Sequence, residues 1–553
     1  MKKLINLLLL LLFSVTINAQ SILTTKHNLS VAGPGTVKAS SETEVCLFCH
    51  TVHNSKPSSP LWNRNDPGNT YNYYTSTTMH ATPGQPSGSS LLCLSCHDGT
   101  VALGSVLSRS SIISFGSNLN MPIGNSNLGT DLRNDHPLSF TYDVALSTIP
   151  NSQLKNPTSL VPQIKLENSK LQCTSCHDPH KDVYSKFLVL SPLNSNLCKA
   201  CHEKTDWLTS SHNTSTKTWN NNAPNPWPYT TYTTVADNAC ENCHNPHNSG
   251  SNKHLLKQAV EEDNCLDCHN GNAATKNVQA DFSKTYRHNV AGYLNAHYPT
   301  EDGVPLTKHV ECVDCHNPHA TKAQSATAPA VKGPNIDAVG VNQSGVVVNS
   351  ATNEYEICYR CHSNNAVTGA ASLRKIIQND LRLEFDPSNP SFHPVAAIGN
   401  NTTITGLLSP YSPSSMIYCT DCHSSNDTTV RGPHGSIYPQ ILKYNYDRGS
   451  IYVNSYSAYE LCYKCHDQTT TITKHNLLSV SATHGTITSC NTCHDPHGIS
   501  STQGNALNNS HLINFTSIVT NNTNGILNWT YSSPGHGSCD LSCHGHNHIG
   551  SSY

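Results

Sequence analysis

The sequence predicts a chain of mostly irregular coil with short helices and little sheet. Three observations lead there. Only 36% of the 553 residues are hydrophobic and 12% charged, against roughly 45–50% and 25% in ordinary soluble proteins. Asn, Ser, Thr, Gly and Pro crowd long stretches, a composition that by itself suits disorder. The third observation reverses that conclusion: Cys-x-x-Cys-His recurs along the whole chain. Two thiols can add across the vinyl groups of a haem while the next histidine binds its iron, and two intervening residues let a single turn span the vinyls. With one motif for about every 44 residues of the exported chain, the macrocycles supply the apolar surface that side chains lack, and the short helices are expected at the motifs. The fold class is therefore a polypeptide wrapped around a chain of covalently bound haems.

The motifs are Cys46/Cys49/His50, Cys93/Cys96/His97, Cys173/Cys176/His177, Cys198/Cys201/His202, Cys240/Cys243/His244, Cys265/Cys268/His269, Cys312/Cys315/His316, Cys358/Cys361/His362, Cys419/Cys422/His423, Cys462/Cys465/His466 and Cys490/Cys493/His494. A twelfth, Cys539/Cys543/His544, has three residues between its cysteines and is read the same way. Together they use all 24 cysteines, leaving none for a disulfide or a nucleophile. Zinc sites and redox dithiols do not require a histidine after every second cysteine. The cofactor expected is haem c, twelve copies.

Residues 1–19 read as a signal peptide: Met1-Lys2-Lys3, an apolar run from Leu4 to Val15, then a polar stretch to Ala19. The expected location is periplasmic or extracellular, with no transmembrane segment once the signal is removed. The rest divides into pairs of haems. Cys173 to Cys198 and Cys240 to Cys265 are both 25 residues apart, and the odd motifs end in CHxPH at His177–His180, His244–His247, His316–His319 and His494–His497. The first carries the variant His50–His53, and the ninth places Pro433-His434 some way after His423. The expected units are 20–150, 151–205 (borrowing His136), 206–275, 276–370, 371–470 and 471–553.

The sixth iron ligand follows from supply. Twelve proximal histidines leave 21 of the 33, whereas beyond Met1 the chain has only Met79, Met121 and Met416. One histidine upstream of each odd motif and one just after it gives His27 and His53, His136 and His180, His212 and His247, His288 and His319, His393 and His434, and His475 and His497. His484 competes with His475. His80, His254, His297, His309, His511, His536, His546 and His548 are left over as surface or propionate-contacting residues. The CHxPH histidine, stiffened by the proline before it, is expected to bind the other haem of its own pair, so that His180 would ligate the iron above His202.

The paired motifs, with Cys-Leu-Ser-Cys-His-Asp-Gly-Thr at 93–100, Asp-His-Pro-Leu-Ser-Phe at 135–140 and Arg-Gly-Pro-His-Gly at 431–435, resemble the doubled-CxxCH, cytochrome c3-like multihaem c-type cytochromes. That resemblance implies a secreted electron carrier and, from related proteins, self-association into filaments. Loss of Lys2 and Lys3 moves the formal charge from −3 to −5, and about −1 from each oxidised haem brings it to about −17. This disfavours nucleic acid and favours other redox proteins or an extracellular electron acceptor. The expected function is electron conduction rather than catalysis. The alternative, a multihaem oxidoreductase acting on a small nitrogen or sulfur compound, would leave one iron open, and the chain has no CxxCK to mark such a haem.

Overall fold

The computed structural model describes residues 22–57, 59–76, 78–250, 252–291, 310–363, 374–449, 453–474, 489–502, 504–505, 508–533, 536–543 and 545–552. The expected signal peptide, His297, His309, His475, His484 and His544 lie outside them. Helices are short and sheet is sparse, as the composition requires. Among the described residues no helix is long and apolar enough to cross a membrane.

The chain forms two compact units. One comprises residues up to 205 with 229–259, the other 206–228 with 260 onward. The division falls inside the expected segment 206–275: Cys243 belongs to the first unit and Cys268 to the second. The cause lies in what each motif packs with. The Cys240 amide donates to Ser195 Oγ at 2.9 Å, which ties the fifth motif to the turn before the fourth. Residues 206–228 instead join the second unit, where His212 stands opposite His269 at 6.2 Å.

The motifs dictate the local structure. In α1 (Gly88–His97), α2 (Glu261–His269) and α3 (Glu354–His362) an even-numbered motif closes a longer helix. Odd motifs are single turns: α4 (Cys173–Cys176), α5 (Cys312–Cys315), α6 (Cys419–Cys422) and α7 (Cys490–Cys493). In each of these turns the histidine amide donates to the first cysteine's carbonyl, for example His177 to Cys173 at 3.0 Å, so the thiols and the imidazole leave one turn together. The fifth motif is tighter, a 3-10 turn over Ala239–Asn242 that Cys243 ends by donating its amide to the Cys240 carbonyl at 3.2 Å. Buried apolar side chains gather in small clusters against the cysteines. Ala39, Phe48, Leu103 and Phe115 pack on Cys49 and Cys96, and Tyr355, Tyr359, Phe385, Phe392 and Val395 on Cys419.

The twelfth motif departs from the expected helix. It lies on β2 (His536–Cys543), between β1 (Asn528–Ser533) and β3 (His546–Ser552) in an antiparallel sheet. Cys539 pairs with Trp529 and Ser551, and Cys543 with His546. Four residues of strand cover about 13 Å, whereas the cysteines of a helical CxxC are separated by a rise of about 4.5 Å. The alternation Asn-Trp-Thr-Tyr in β1 and the burial of Trp529 and Leu541 against Ile513, Phe515 and Val519 explain why strand wins here.

Candidate haem sites

A repeated backbone device orients the proximal histidines. After an odd motif the chain returns through two consecutive residues with left-handed φ: Lys186 and Phe187, His254 and Leu255, Gln440 and Ile441, His511 and Leu512. Non-glycine residues enter that region at a cost of about 1–2 kcal/mol each. The turn is held because the amides of Asp178, Asn245, Ser424 and Asp495 donate to Phe187, Leu255, Ile441 and Leu512 carbonyls at 2.7–2.9 Å. The second cysteine of the motif accepts from the returning strand as well: Lys257 donates to the Cys243 carbonyl at 2.9 Å as Val189 does to Cys176 at 3.0 Å. At the even motif of α2 the loop is shorter, and the Cys268 carbonyl accepts from Ala274 at 3.0 Å. The first kinked residue then offers its own carbonyl to the proximal imidazole. Nδ1 of His177, His244, His423 and His494 lies 2.8–3.1 Å from the carbonyl oxygens of Lys186, His254, Gln440 and His511. Nδ1–H donates there, which leaves Nε2 with its lone pair for a metal. His254 and His511, left over in the sequence, thus contribute main-chain oxygens.

Across from the proximal rings stand second histidines. The ring centres are 6.0 Å apart for His50 and His180, 6.2 Å for His97 and His27, 6.1 Å for His177 and His247, and 6.2 Å for His202 and His136. In the second unit the distances are 6.2 Å for His269 and His212, 6.2 Å for His316 and His434, 6.5 Å for His362 and His288, 6.2 Å for His423 and His497, and 6.4 Å for His466 and His393. Two imidazoles on opposite sides of one iron, each with a metal–nitrogen distance of about 2.0 Å and about 1.1 Å more to the ring centre, are about 6.2 Å apart. The donor set therefore fits a six-coordinate haem iron between each two rings.

The pairing differs from the expectation in one respect. His180 faces His50 and not His202, whose opposite ring is His136. The cause is backbone direction: His177 leaves its turn extended (φ −123°, ψ 135°), and Pro179 carries His180 toward the preceding haem pair. The same displacement takes His247 to His177, His434 to His316 and His497 to His423. With His180 opposite His50, His53 stays exposed on the surface. His319 lies beside Trp207, 6.0 Å between ring centres. Each proline before such a histidine has a second use, because its carbonyl accepts from the upstream histidine. His27 Nδ1 is 3.0 Å from Pro179 O, and His212 Nδ1 is 2.8 Å from Pro318 O. His393 meets Pro496 O and His288 meets Pro433 O in the same way, while the His136 amide donates to Pro246 O at 2.8 Å. At 179–180, 246–247, 433–434 and 496–497 one Pro-His dipeptide thus supplies the second ring for one motif of the pair before it and holds the second histidine of the other.

Electrostatics favour neutral, metal-ready imidazoles. Burial, reinforced by the opposing ring, pushes His202 down to about 3 and His269, His362 and His466 to about 4. Burial likewise pushes the Cys49, Cys176 and Cys422 thiols up to about 12.

The cysteines connect the sites in alternation. Within pairs, second cysteines neighbour one another: Cys49 and Cys96, Cys176 and Cys201, Cys315 and Cys361, Cys422 and Cys465. Between pairs, first cysteines are neighbours: Cys93 and Cys173, Cys198 and Cys240, Cys265 and Cys312, Cys358 and Cys419, Cys462 and Cys490.

Residues 167–206, 233–274 and 412–471 match the family described as the doubled CXXCH motif. The chain carries the doubled CXXCH motif of multihaem c-type cytochromes. Each matched doubled CXXCH segment spans an odd motif and the even one after it, and this motif indicates haem c and electron transfer. The curated proteins contain no match to the chain. Two residues beside the doubled CXXCH sites were not found from sequence, Asp135 and Glu384, which lie at Nδ1 of His247 and His497. The acid immediately before His136 was the available signal for the first.

Proposed function

We propose that this chain is an exported electron carrier in which bis-histidine haems form a relay within each compact unit, in the periplasm or outside the cell. The alternation of cysteine neighbours within each unit carries the reading. A motif turns one thiol toward the site before it and the other toward the site after it, so two attachment edges of each ring would lie next to different neighbours. Haem c, held through these thiols, supplies one-electron exchange between ferric and ferrous iron. The protein's part is to fix both axial nitrogens, to orient them through carbonyl acceptors, and to fill the sixth position so that no substrate can bind. The partners are redox proteins or an extracellular acceptor, and self-association into filaments is compatible with the acidic charge only where patches of opposite sign meet.

The test is spectroscopic. All irons of the holoprotein should be low-spin in the ferric state, and the reduced protein as isolated should not bind carbon monoxide. A high-spin signal with stoichiometric carbon monoxide binding would overturn the conduit in favour of an enzyme.

A further inference from the structure

The second histidines differ in what holds their Nδ1. Those serving the even motifs, such as His27, His136 and His212, meet neutral carbonyl oxygens. Two serving odd motifs meet buried acids instead. His247 Nδ1 is 2.8 Å from Asp135 Oδ1, whose side chain is 3% exposed, and the Asn134 amide, turned to present its nitrogen, reaches Asp135 Oδ2 at 2.8 Å. His497 Nδ1 is 3.2 Å from Glu384 Oε2, with a 6% exposed side chain. Wiring, not mere proximity of an acid, distinguishes these sites. Asp281 stands before His434 as Glu384 stands before His497, since Gly435 and Gly498 lie against their respective carbonyl oxygens. Its carboxylate is bound instead by Lys284 Nζ at 2.5 Å.

We propose that Asp135 and Glu384 make the haems at His177 and His423 lower in potential than their neighbours, by holding a carboxylate on the far nitrogen of the distal ligand. The inference rests on the bis-histidine reading above. At His247 the carboxylate accepting from Nδ1–H draws the proton away and makes the imidazole a stronger donor, and outer partners of this kind tune a metal through its ligand, whereas at His497 the contact is an ion pair. The buried negative charge acts in the same direction, stabilising ferric over ferrous iron across a poorly screened interior. The relay then contains one such site in each compact unit, and electrons entering it step over these irons rather than resting on them.

The experiment is a potentiometric titration of the full-length holoprotein and its Asp135→Asn and Glu384→Gln variants, followed optically and by electron paramagnetic resonance. Each amide keeps an acceptor but removes the charge. Each single variant should move one haem's share of the titration by on the order of tenfold toward the ferrous form, about 59 mV for a one-electron couple. The double variant should move two shares additively, and Asp135→Glu and Glu384→Asp should leave the low values in place. Unmoved or more negative potentials, with every iron still low-spin, overturn the proposal; so does loss of haem from both amide variants, which would mark the acids as structural only. Failure of the ligand reading is a separate result, seen as His247→Ala and His497→Ala variants that stay fully low-spin.

Discussion

Replacing His180 with Ala tests the displaced pairing directly. His180 comes from the third motif yet faces the ring of the first, 6.0 Å from His50. Its side chain is 62% exposed, so removal sacrifices little packing, and stability should change by no more than about 0.5 kcal/mol. One iron in about twelve loses its sixth ligand. About 8% of the low-spin ferric signal should become high-spin, and the reduced variant should bind one carbon monoxide per chain. Combining it with His136→Ala distinguishes the affected sites. His136 faces His202, so the double variant should bind two carbon monoxide molecules. A single molecule would mean that both histidines address the iron above His202 and would refute the displacement.

Three further outcomes are expected. The intact mass should show haem on the helical motifs, and it decides the strand-borne Cys539 and Cys543: reaction of both with a thiol reagent in the denatured holoprotein is expected if the separation along β2 is retained. Gly498→Ala would put a Cβ 1.9 Å from Glu384 O, so the short pairing of Ser391–Phe392 with Gly498–Ile499 must part; a loss of about 1–3 kcal/mol should appear as a lower Tm, with one iron losing His497. Glu311, 1% exposed, is raised above the usual carboxylate range by burial and then by Glu261, itself raised by burial. A raised carboxyl contributes stability that is complete below its unfolded value and lost as pH rises through the folded one. Stability should therefore decline from roughly pH 4.3 upward, by at most about 1.4 kcal/mol for each step of one in pH, and Glu311→Gln should flatten that slope in denaturant titrations of the holoprotein.

The motif chemistry was legible because it is local: one helical turn fixes two thiols and an imidazole, and five residues spell it, six at Cys539–His544. The class of second ligands was legible by counting, since histidine was the only side chain abundant enough. Their partners were not. A spacing of 25 residues between Cys173 and Cys198 suggested that His180 should reach the nearer haem, but chain proximity says nothing about the direction in which an extended His177 sends the backbone. The same spacing between Cys240 and Cys265 made that doubled motif legible, though not the division on either side of which Cys243 and Cys268 fall, which packing partners decide. The strand at Cys539–Cys543 was missed for a related reason, because the spacing of two cysteines was weighed and the alternating aromatics of Asn528–Ser533 were not. Nor could the kink at His254 and His511 be read, since it uses main-chain oxygens that any residue could provide.

The offset between a ring and the histidine opposite it also sets an order in time. On the proposed reading of an exported bis-histidine cytochrome, the second ligand for His97, His202, His269, His362 and His466 lies earlier in the chain and would already have left the membrane when the haem is attached. For His50, His177, His316 and His423 it lies later, 130 residues later in the case of His180 after His50. Secretion from the N-terminus would then mature the two members of a pair unequally: one would close at once, while its companion would wait with an open iron for the next Pro-His to emerge. A stall in export would strand the chain with its most recent odd-numbered haem reactive toward oxygen and peroxide.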